Sequence, residues 1–188
     1  MIGYVVEGGT DRAFVRGLAS RWCPDADLLE IAFRGSSCKH RHYPKVCSDA
    51  SLRGVDVLVM LTDANNERWT VVRDGERAAL PNPCPVEVLI GVCDRNVECW
   101  LCADRDYAAR MLRCTPEDLD LPDPKGAFAR RMRLVVDLPA EEWIERFVEN
   151  APLHAWIRRS PSFRGFYGDV RDYALRMGCD FPNEEERS

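Results

Sequence analysis

The chain has 188 residues, of which 46% are hydrophobic and 30% are charged, and its formal net charge is −5. This composition is typical of a globular protein and excludes a disordered or fibrous chain, and the length suits a single domain with a full core. No apolar run reaches the ~20 residues that a membrane-spanning helix needs, and no signal-peptide pattern precedes the first strand. We therefore expect a cytoplasmic protein that does not bind membranes.

The net charge and the cysteine content bear on nucleic-acid binding and on disulfide bonds. An acidic chain has no overall attraction to nucleic acid, so such a contact would need a local basic face or a partner protein. The nine cysteines are an odd number scattered through predicted strands and helices, which favours reduced, mostly buried thiols over disulfides. Cysteine then acts as a small hydrophobic residue.

The first half of the chain alternates strand-like and helix-like segments. The segment from Val55 to Leu61 is almost continuously apolar, which is typical of a central parallel strand covered on both faces. Thr10 is placed to cap a helix that follows the first strand. The predicted elements are strands at 2–6, 27–33, 55–61 and 86–92, a helix from Thr10, a mixed segment through Leu52 and a helix over 66–79.

From Asn96 onward the pattern is mostly helical. The predicted helices cover 96–113, 124–136, 140–149 and 162–177, with a short turn near 116–119. Alternating strands and helices followed by helices predict an α/β fold, with a mostly parallel sheet flanked by helices and a helical C-terminal part. We expect one domain over 1–182, with a core of about 1–104 and a helical flank of about 105–182, followed by a frayed tail at 183–188.

Two carboxylates follow the two best parallel strands. Glu7 comes after Val5 and Val6, and Asp63 ends the segment that begins at Val55. The carboxyl ends of neighbouring parallel strands meet in one crevice, so Glu7 and Asp63 are predicted to lie close together. Hard oxygen ligands without an adjacent histidine favour Mg²⁺ or Mn²⁺ over zinc. The structural alternatives are that Glu7 is a turn residue and that Asp63 caps the helix after it.

These motifs resemble a known family. Val5-Val6-Glu7-Gly8-x-x-Asp11 and Leu61-Thr62-Asp63-x-Asn65 are similar to the TOPRIM fold of topoisomerases, DnaG-type primases and OLD-family nucleases. The segment from Arg95 to Asp104, and Asp123-Pro124-Lys125 after it, resemble small stand-alone TOPRIM-like proteins of unknown function, often found beside an ATPase gene in bacteria. The resemblance covers most of the chain and is strongest at 4–18, 55–66, 94–104 and 123–128.

The resemblance implies a Rossmann-like TOPRIM domain with a metal site. It implies that metal ions are held by carboxylates, with Asn65 standing where the family has the second aspartate of an Asp-x-Asp pair. Asparagine still offers a carbonyl oxygen but removes one negative charge. Two metal ions would hydrolyse a phosphodiester bond, one activating water and one stabilising the leaving oxygen. The implied catalytic residues are Glu7, Asp63, Glu98 and Lys125, and the implied metal ligands are Glu7, Asp11, Asp63, Asn65 and Glu98.

Basic residues supply candidate contacts to a phosphate backbone. Arg130, Arg131 and Arg133 follow Lys125 closely and are the preferred contacts. The segment from Lys39 to Lys45 is predicted to be a basic loop that either touches nucleic acid or is simply solvated. Its cysteine and histidine spacing lacks a Cys-x-x-Cys pair, so zinc is not expected.

Three functions fit these expectations. The first is a metal-dependent nuclease or nuclease subunit acting on DNA or RNA; from the resemblance, it would serve anti-phage defence with an ATPase partner encoded nearby. The second is a non-catalytic adaptor that keeps the scaffold and binds an ATPase or a phage protein, which Asn65 favours. The third is a phosphatase or nucleotidyl-transferring enzyme that uses the same site. A homo-oligomer is left open.

Overall fold

Parallel strands form the sheet at the centre of the protein. The computed structural model describes residues 1–31, 39–119, 124–135, 137–178 and 181. Within these residues the strands are β1 (Ile2–Val5), β2 (Leu28–Glu30), β3 (Val57–Asp63) and β4 (Glu87–Cys93), in the order β2-β1-β3-β4. All pairings are parallel, so the carboxyl ends of the strands lie along one edge. The predicted α/β class is confirmed.

β3 is longer than β1 and extends beyond it at this edge. Val5, the last residue of β1, pairs with Met60. Glu7 lies two residues further along and so falls level with Thr62, near the end of β3. β4 ends level with Asp63. The register therefore brings the residues after β1 beside the last residues of β3.

β3 is covered on both faces, as its apolar sequence predicts. Leu58 and Met60 belong to one buried cluster, and Val57, Val59 and Leu61 belong to another. Successive side chains of a strand point to opposite faces, so the two clusters lie on the two sides of the sheet. Both clusters exclude water from the strands that lead to the carboxyl edge.

Helices cover the two faces. On one face α2 contributes Tyr43 and Cys47, and on the other α1 contributes Phe14 and α9 contributes Phe166. The helices are α1 (Gly9–Trp22), α2 (Lys39–Leu52), α3 (Trp69–Ala79), α4 (Val97–Leu101), α5 (Arg105–Met111), α6 (Pro124–Val135), α7 (Ala140–Glu149), α8 (Leu153–Arg159) and α9 (Pro161–Arg176).

The C-terminal helices share the core of the sheet through aromatic side chains. Phe14 of α1 stacks on Trp156 of α8, with ring centroids 6.0 Å apart, and lies 5.4 Å from Trp100 of α4. Trp100 is completely buried, packs on Phe163 and donates from Nε1 to Oγ of Ser162 at 2.7 Å. The helical part is thus packed into the same core as β1 and β3.

The segment predicted to be a basic loop is helical. Lys39 begins α2, which continues to Leu52. Tyr43, Val46 and Ala50 recur at helical spacing and are buried. The loop prediction was wrong because Pro44 and the basic residues next to Tyr43 and Val46 mask this apolar stripe in the sequence.

The single helix predicted over 96–113 is two helices. α4 ends at Leu101 and α5 begins at Arg105. Asp104 makes the break: its Oδ1 accepts from the backbone N–H of Tyr107 at 3.2 Å, which caps α5, and pairs with Arg159 at 3.1 Å. An Asp N-cap followed by helix formers is the signal that the prediction overlooked.

One further difference concerns the C-terminal half, and one prediction there is untested. α8 lies over 153–159, between two predicted helices, and had not been predicted. The predicted frayed tail at 183–188 lies outside the described residues. In the described part of the chain, no helix is both long and apolar enough to cross a membrane.

Candidate active site at the carboxyl edge of the sheet

Glu7 is placed by β1 and held by β3. It follows β1 by two residues and lies at the carboxyl edge. Thr62 of β3 donates from Oγ1 to Oε1 of Glu7 at 3.2 Å. Thr62 is itself buried, so this hydroxyl is a fixed anchor for an otherwise exposed carboxylate.

Asp11 is placed by the first turn of α1. Its Oδ2 accepts from the backbone N–H of Gly8 at 2.9 Å, which satisfies one of the free N–H groups at the helix start. The next residue, Arg12, pairs with Glu30 of β2 at 2.8 Å and with Glu141 of α7 at 3.0 Å. These contacts fix the helix start, and Asp11 with it, against the sheet edge.

The pKa of Asp11 is raised to about 6. Burial is the main cause because it disfavours the charged form. The carboxylates of Glu98 and Glu7 raise this pKa further, whereas the N–H of Gly8 and the charge of Lys125 lower it. Asp11 therefore lies in a partly desolvated group of charges.

Asp63 ends β3 and belongs to the same group. Burial raises its pKa to about 7, and Asp11 and Glu7 add to this, with a smaller effect from Glu98. Lys125 again acts in the opposite direction. The alternative role of Asp63 as a helix cap is excluded, because α3 begins only at Trp69.

Glu98 and Lys125 reach the same place from the C-terminal half. Glu98 lies in the first turn of α4, directly after β4, and only 4% of it is exposed. Lys125 lies at the start of α6 and is exposed. Both act electrostatically on Asp11 and on Asp63. The structure thus brings together Glu7, Asp11, Asp63, Glu98 and Lys125, which come from five separate segments.

Asn65 borders the same cleft as Asp63. It is exposed and adopts the left-handed conformation, with φ of 55°. Its side-chain nitrogen donates to the backbone oxygen of Asp63 at 3.4 Å, and its N–H donates to the carbonyl of Arg95 at 2.9 Å. Asparagine tolerates a positive φ better than most residues. The backbone conformation therefore explains why asparagine suits this position.

The three predicted arginine contacts do not share one face of α6. Arg131 pairs with Asp118 at 2.5 Å and is held there. Arg130 and Arg133 are exposed. At 100° per residue, Arg133 lies about 80° from Lys125 around the helix and Arg130 about 140°. Arg133 is thus nearest to the direction of Lys125.

The donor set suits a hard divalent cation that keeps part of its water. Its members are carboxylates, and neighbouring carboxylates add to the effect of burial in raising the pKa values of Asp11 and Asp63. Among the described residues, however, no three Asp, Glu, His or Cys side chains are arranged to hold an ion together. Mg²⁺ is usually bound by one or two carboxylates, several waters and a substrate phosphate. The residues fit that mode and do not form an all-protein cage.

The sequence reasoning missed a polar cluster next to this site. Glu76 of α3 is buried, and Tyr43 of α2 donates to its carboxylate. His40, also on α2, lies beside it. One signal was available: Trp69, Val72 and Glu76 recur at helical spacing, which places a carboxylate on the apolar stripe of α3.

No family model, no curated protein and no solved structure matched this chain.

Proposed function

We propose that this protein is a divalent-metal-dependent phosphodiesterase that cleaves nucleic acid, a TOPRIM-like nuclease or nuclease subunit. The observation that carries the proposal is the convergence of four carboxylates and one lysine at the carboxyl edge of a parallel sheet. Ligands of α/β sheets bind at this edge. Four carboxylates repel one another there, and a divalent cation removes that repulsion.

The arrangement suits hydrolysis of a phosphodiester. One or two of the carboxylates of Glu7, Asp11, Asp63 and Glu98 would hold each Mg²⁺ or Mn²⁺ ion, which would activate water and stabilise charge on the phosphate. Lys125 would bind the non-bridging oxygens, whose charge grows in the transition state. Thr62 holds Glu7 in place for this task. The chain supplies charge and position and needs no covalent intermediate.

The net charge of the chain and the family resemblance together support a partner protein. A net charge of −5 and the small number of exposed arginines near Lys125 favour delivery of nucleic acid by a second protein. The family resemblance makes an ATPase the proposed partner and anti-phage defence the proposed setting. The isolated chain is then expected to cleave weakly.

The test compares the wild type with Glu7→Gln. Both are incubated with single- and double-stranded DNA and RNA, in Mg²⁺, Mn²⁺ or EDTA. Cleavage by the wild type that needs metal and disappears in Glu7→Gln supports the proposal and identifies the substrate. Equal cleavage by both proteins shows a contaminant or another site. The absence of cleavage under all conditions, with the partner present, contradicts the proposal.

A second candidate function is a non-catalytic adaptor that uses the same scaffold to bind an ATPase or a phage protein. One observation favours it: the described residues hold no ready three-ligand metal group. Isothermal titration calorimetry with Mg²⁺ and Mn²⁺ separates the two functions. A nuclease binds the ion and loses binding in Asp63→Asn, whereas an adaptor shows no binding that depends on Asp63.

A further inference from the structure

His40, Tyr43 and Glu76 form a second polar cluster beside the candidate active site. Tyr43 belongs to the buried cluster on the α2 side of the sheet, whereas Phe14 of α1 belongs to the cluster on the other side. Lys125 and Asp11 therefore approach the carboxyl edge from the α1 side, and this second cluster approaches it from the α2 side. The edge is flanked by polar groups on both sides.

The cluster contacts the His40 ring on one side, and the rest of the ring is exposed. The Tyr43 hydroxyl donates to Oε2 of Glu76, a carboxylate with only 7% of its surface exposed. Nε2 of His40 lies 3.4 Å from the same oxygen. The His40 ring also packs edge-on against Tyr43, with centroids 5.4 Å apart. A buried carboxylate thus faces one ring nitrogen, which leaves Nδ1 for another partner.

Two cavities connect this cluster with the site. A small cavity of about 20 Å³ is lined by Glu7, Thr62, Tyr43 and Glu76. An open cleft of about 610 Å³ is lined by His40, Asp63 and Glu76. Its volume is within the range of small-ligand sites and suits a piece of a substrate of nucleotide size. His40 and Asp63 thus face the same space.

We propose that His40 is a catalytic residue of the phosphodiesterase, the general acid that protonates the leaving oxygen, and that Glu76 is its positioning residue. This inference rests on the proposed function. As the bond from a water oxygen to phosphorus forms, the bond from phosphorus to the leaving oxygen breaks. Nδ1–H of His40 gives its proton to that oxygen, which leaves as an alcohol. The attacking water releases one proton to solvent. His40 takes up one proton from solvent, so the number of protons balances.

Lys125 and His40 have different proposed tasks because they lie on opposite sides of the sheet. Lys125 approaches with Asp11 and Glu98, and its charge is fixed on the side of the sheet where the carboxylates crowd. His40 approaches from the opposite side and supplies the proton for the leaving oxygen. A carboxylate behind the imidazole holds its tautomer. Charge stabilisation and proton donation thus come from separate helices.

The experiment uses two esters of thymidine 5′-phosphate, one with a 4-nitrophenyl and one with a phenyl leaving group, in the presence of Mg²⁺ or Mn²⁺. Nitrophenolate leaves without help, whereas phenolate needs a proton. We expect His40→Gln to lower kcat for the phenyl ester by about 100-fold, the usual loss for a missing general acid. For the nitrophenyl ester we expect a loss of less than about 5-fold, because that leaving group needs little acid catalysis. The control His154→Gln, on α8, should leave both rates unchanged.

A second measurement does not depend on activity. The ¹⁵N shifts of the ring nitrogens are recorded by NMR in the metal-free wild type and in Glu76→Gln. We expect the neutral His40 ring of the wild type to carry its proton on Nε2, which faces Glu76, and to become a mixture of tautomers in Glu76→Gln. The signals of His154 should stay the same in both proteins.

The outcomes separate the two proposals. Cleavage by the wild type with an equal loss on both esters in His40→Gln, or with no loss, overturns the general-acid role and leaves the phosphodiesterase standing. A wild type that cleaves neither ester nor nucleic acid overturns both. Ring shifts of His40 that are identical in the wild type and in Glu76→Gln overturn the positioning role of Glu76.

Discussion

Asp11 and Asp63 are ionisable side chains whose folded surroundings oppose their charge. Their pKa values are raised to about 6 and about 7, first by burial and then by neighbouring carboxylates. Between pH 4 and pH 7 these two side chains therefore hold more protons in the folded protein than in the unfolded chain. Their contribution to stability falls as the pH rises through this range.

The first prediction is that the metal-free protein melts at a higher temperature at pH 5 than at pH 8. The loss on raising the pH should be about 1–2 kcal/mol after allowance for the partial exposure of Asp63. Asp63→Asn removes part of the repulsion and should raise the melting temperature at pH 8 with little effect at pH 5. Differential scanning fluorimetry in EDTA measures this. A melting temperature that rises from pH 5 to pH 8 contradicts the electrostatic account.

Divalent metal gives the second prediction. Metal ligands must be deprotonated, so Mg²⁺ or Mn²⁺ should raise the melting temperature more at pH 8 than at pH 5. The shift should vanish in Asp63→Asn. The same scans with and without EDTA give the answer. A metal shift of equal size in the variant would show that the ion binds elsewhere.

Lys125 supports the third prediction. Its charge lowers the pKa of both aspartates, and the proposed function assigns it to the phosphate of the substrate. Lys125→Ala should reduce kcat for nucleic-acid cleavage by about 100-fold, as expected for loss of a charge that acts in the transition state. Arg158→Ala on α8 is the matched control, since Arg158 is an exposed cation away from the site. Similar losses in both variants would assign Lys125 to general attraction of nucleic acid.

At the scale of elements, the packing of α1 on α7 positions Asp11. Gly17 of α1 has no room for a side chain, since a Cβ there would meet the carbonyl of Glu145 at 2.7 Å and Val148 at 2.7 Å. Gly75, within α3, has nothing within 4 Å of that position. These two glycines form a matched pair for substitution.

The fourth prediction uses this pair. Gly17→Ala should destabilise the protein by about 1–3 kcal/mol, because a backbone carbonyl cannot move aside as a flexible side chain can. Gly75→Ala should stabilise it by about 0.5–1 kcal/mol, because alanine favours the helix. Urea unfolding of both variants measures the change. A neutral Gly17→Ala would show that α1 and α7 are less tightly packed than the structure indicates.

The ends of strands were easier to predict from the sequence than contacts between distant helices. Glu7 and Asp63 could be located because strand ends are legible as apolar runs that stop at a carboxylate. Glu98 could be placed after β4. The break between α4 and α5 at Asp104 was not predicted, because good helix formers lie on both sides of it. Glu76 was missed because its role depends on Tyr43, a residue 33 positions away. Such long-range pairings follow from packing and leave little mark on local sequence.

At the scale of the whole molecule, one aromatic core joins the two halves of the chain. Phe14 contacts Trp156 and Phe163, so β1 and α1 are packed against helices that lie more than 100 residues later. The predicted division into a core of about 1–104 and a flank of about 105–182 thus separates partners within one core. The candidate active site depends on the same packing, because Lys125 comes from the second half and the carboxylates from the first.

The fifth prediction concerns the packing of the two halves on each other. A fragment of residues 1–104 should fail to fold, because it would expose Phe14 and Trp100 where α8 and α9 now cover them. The ¹H–¹⁵N NMR spectrum of the fragment should show the narrow dispersion of an unfolded chain, whereas the full chain gives a dispersed spectrum. A dispersed spectrum and a cooperative melting transition from the fragment would show that residues 105–182 are not needed for folding.

The loops after β3 and β4 are tied to each other beyond the ends of their strands. Ala64 donates to the carbonyl of Cys93, and Asn65 donates to the carbonyl of Arg95, both at 2.9 Å. The two loops lead to Asp63 on one side and to Glu98 on the other, so the backbone links the positions of these two carboxylates. We therefore expect a larger ion bound at one of them to shift the other as well.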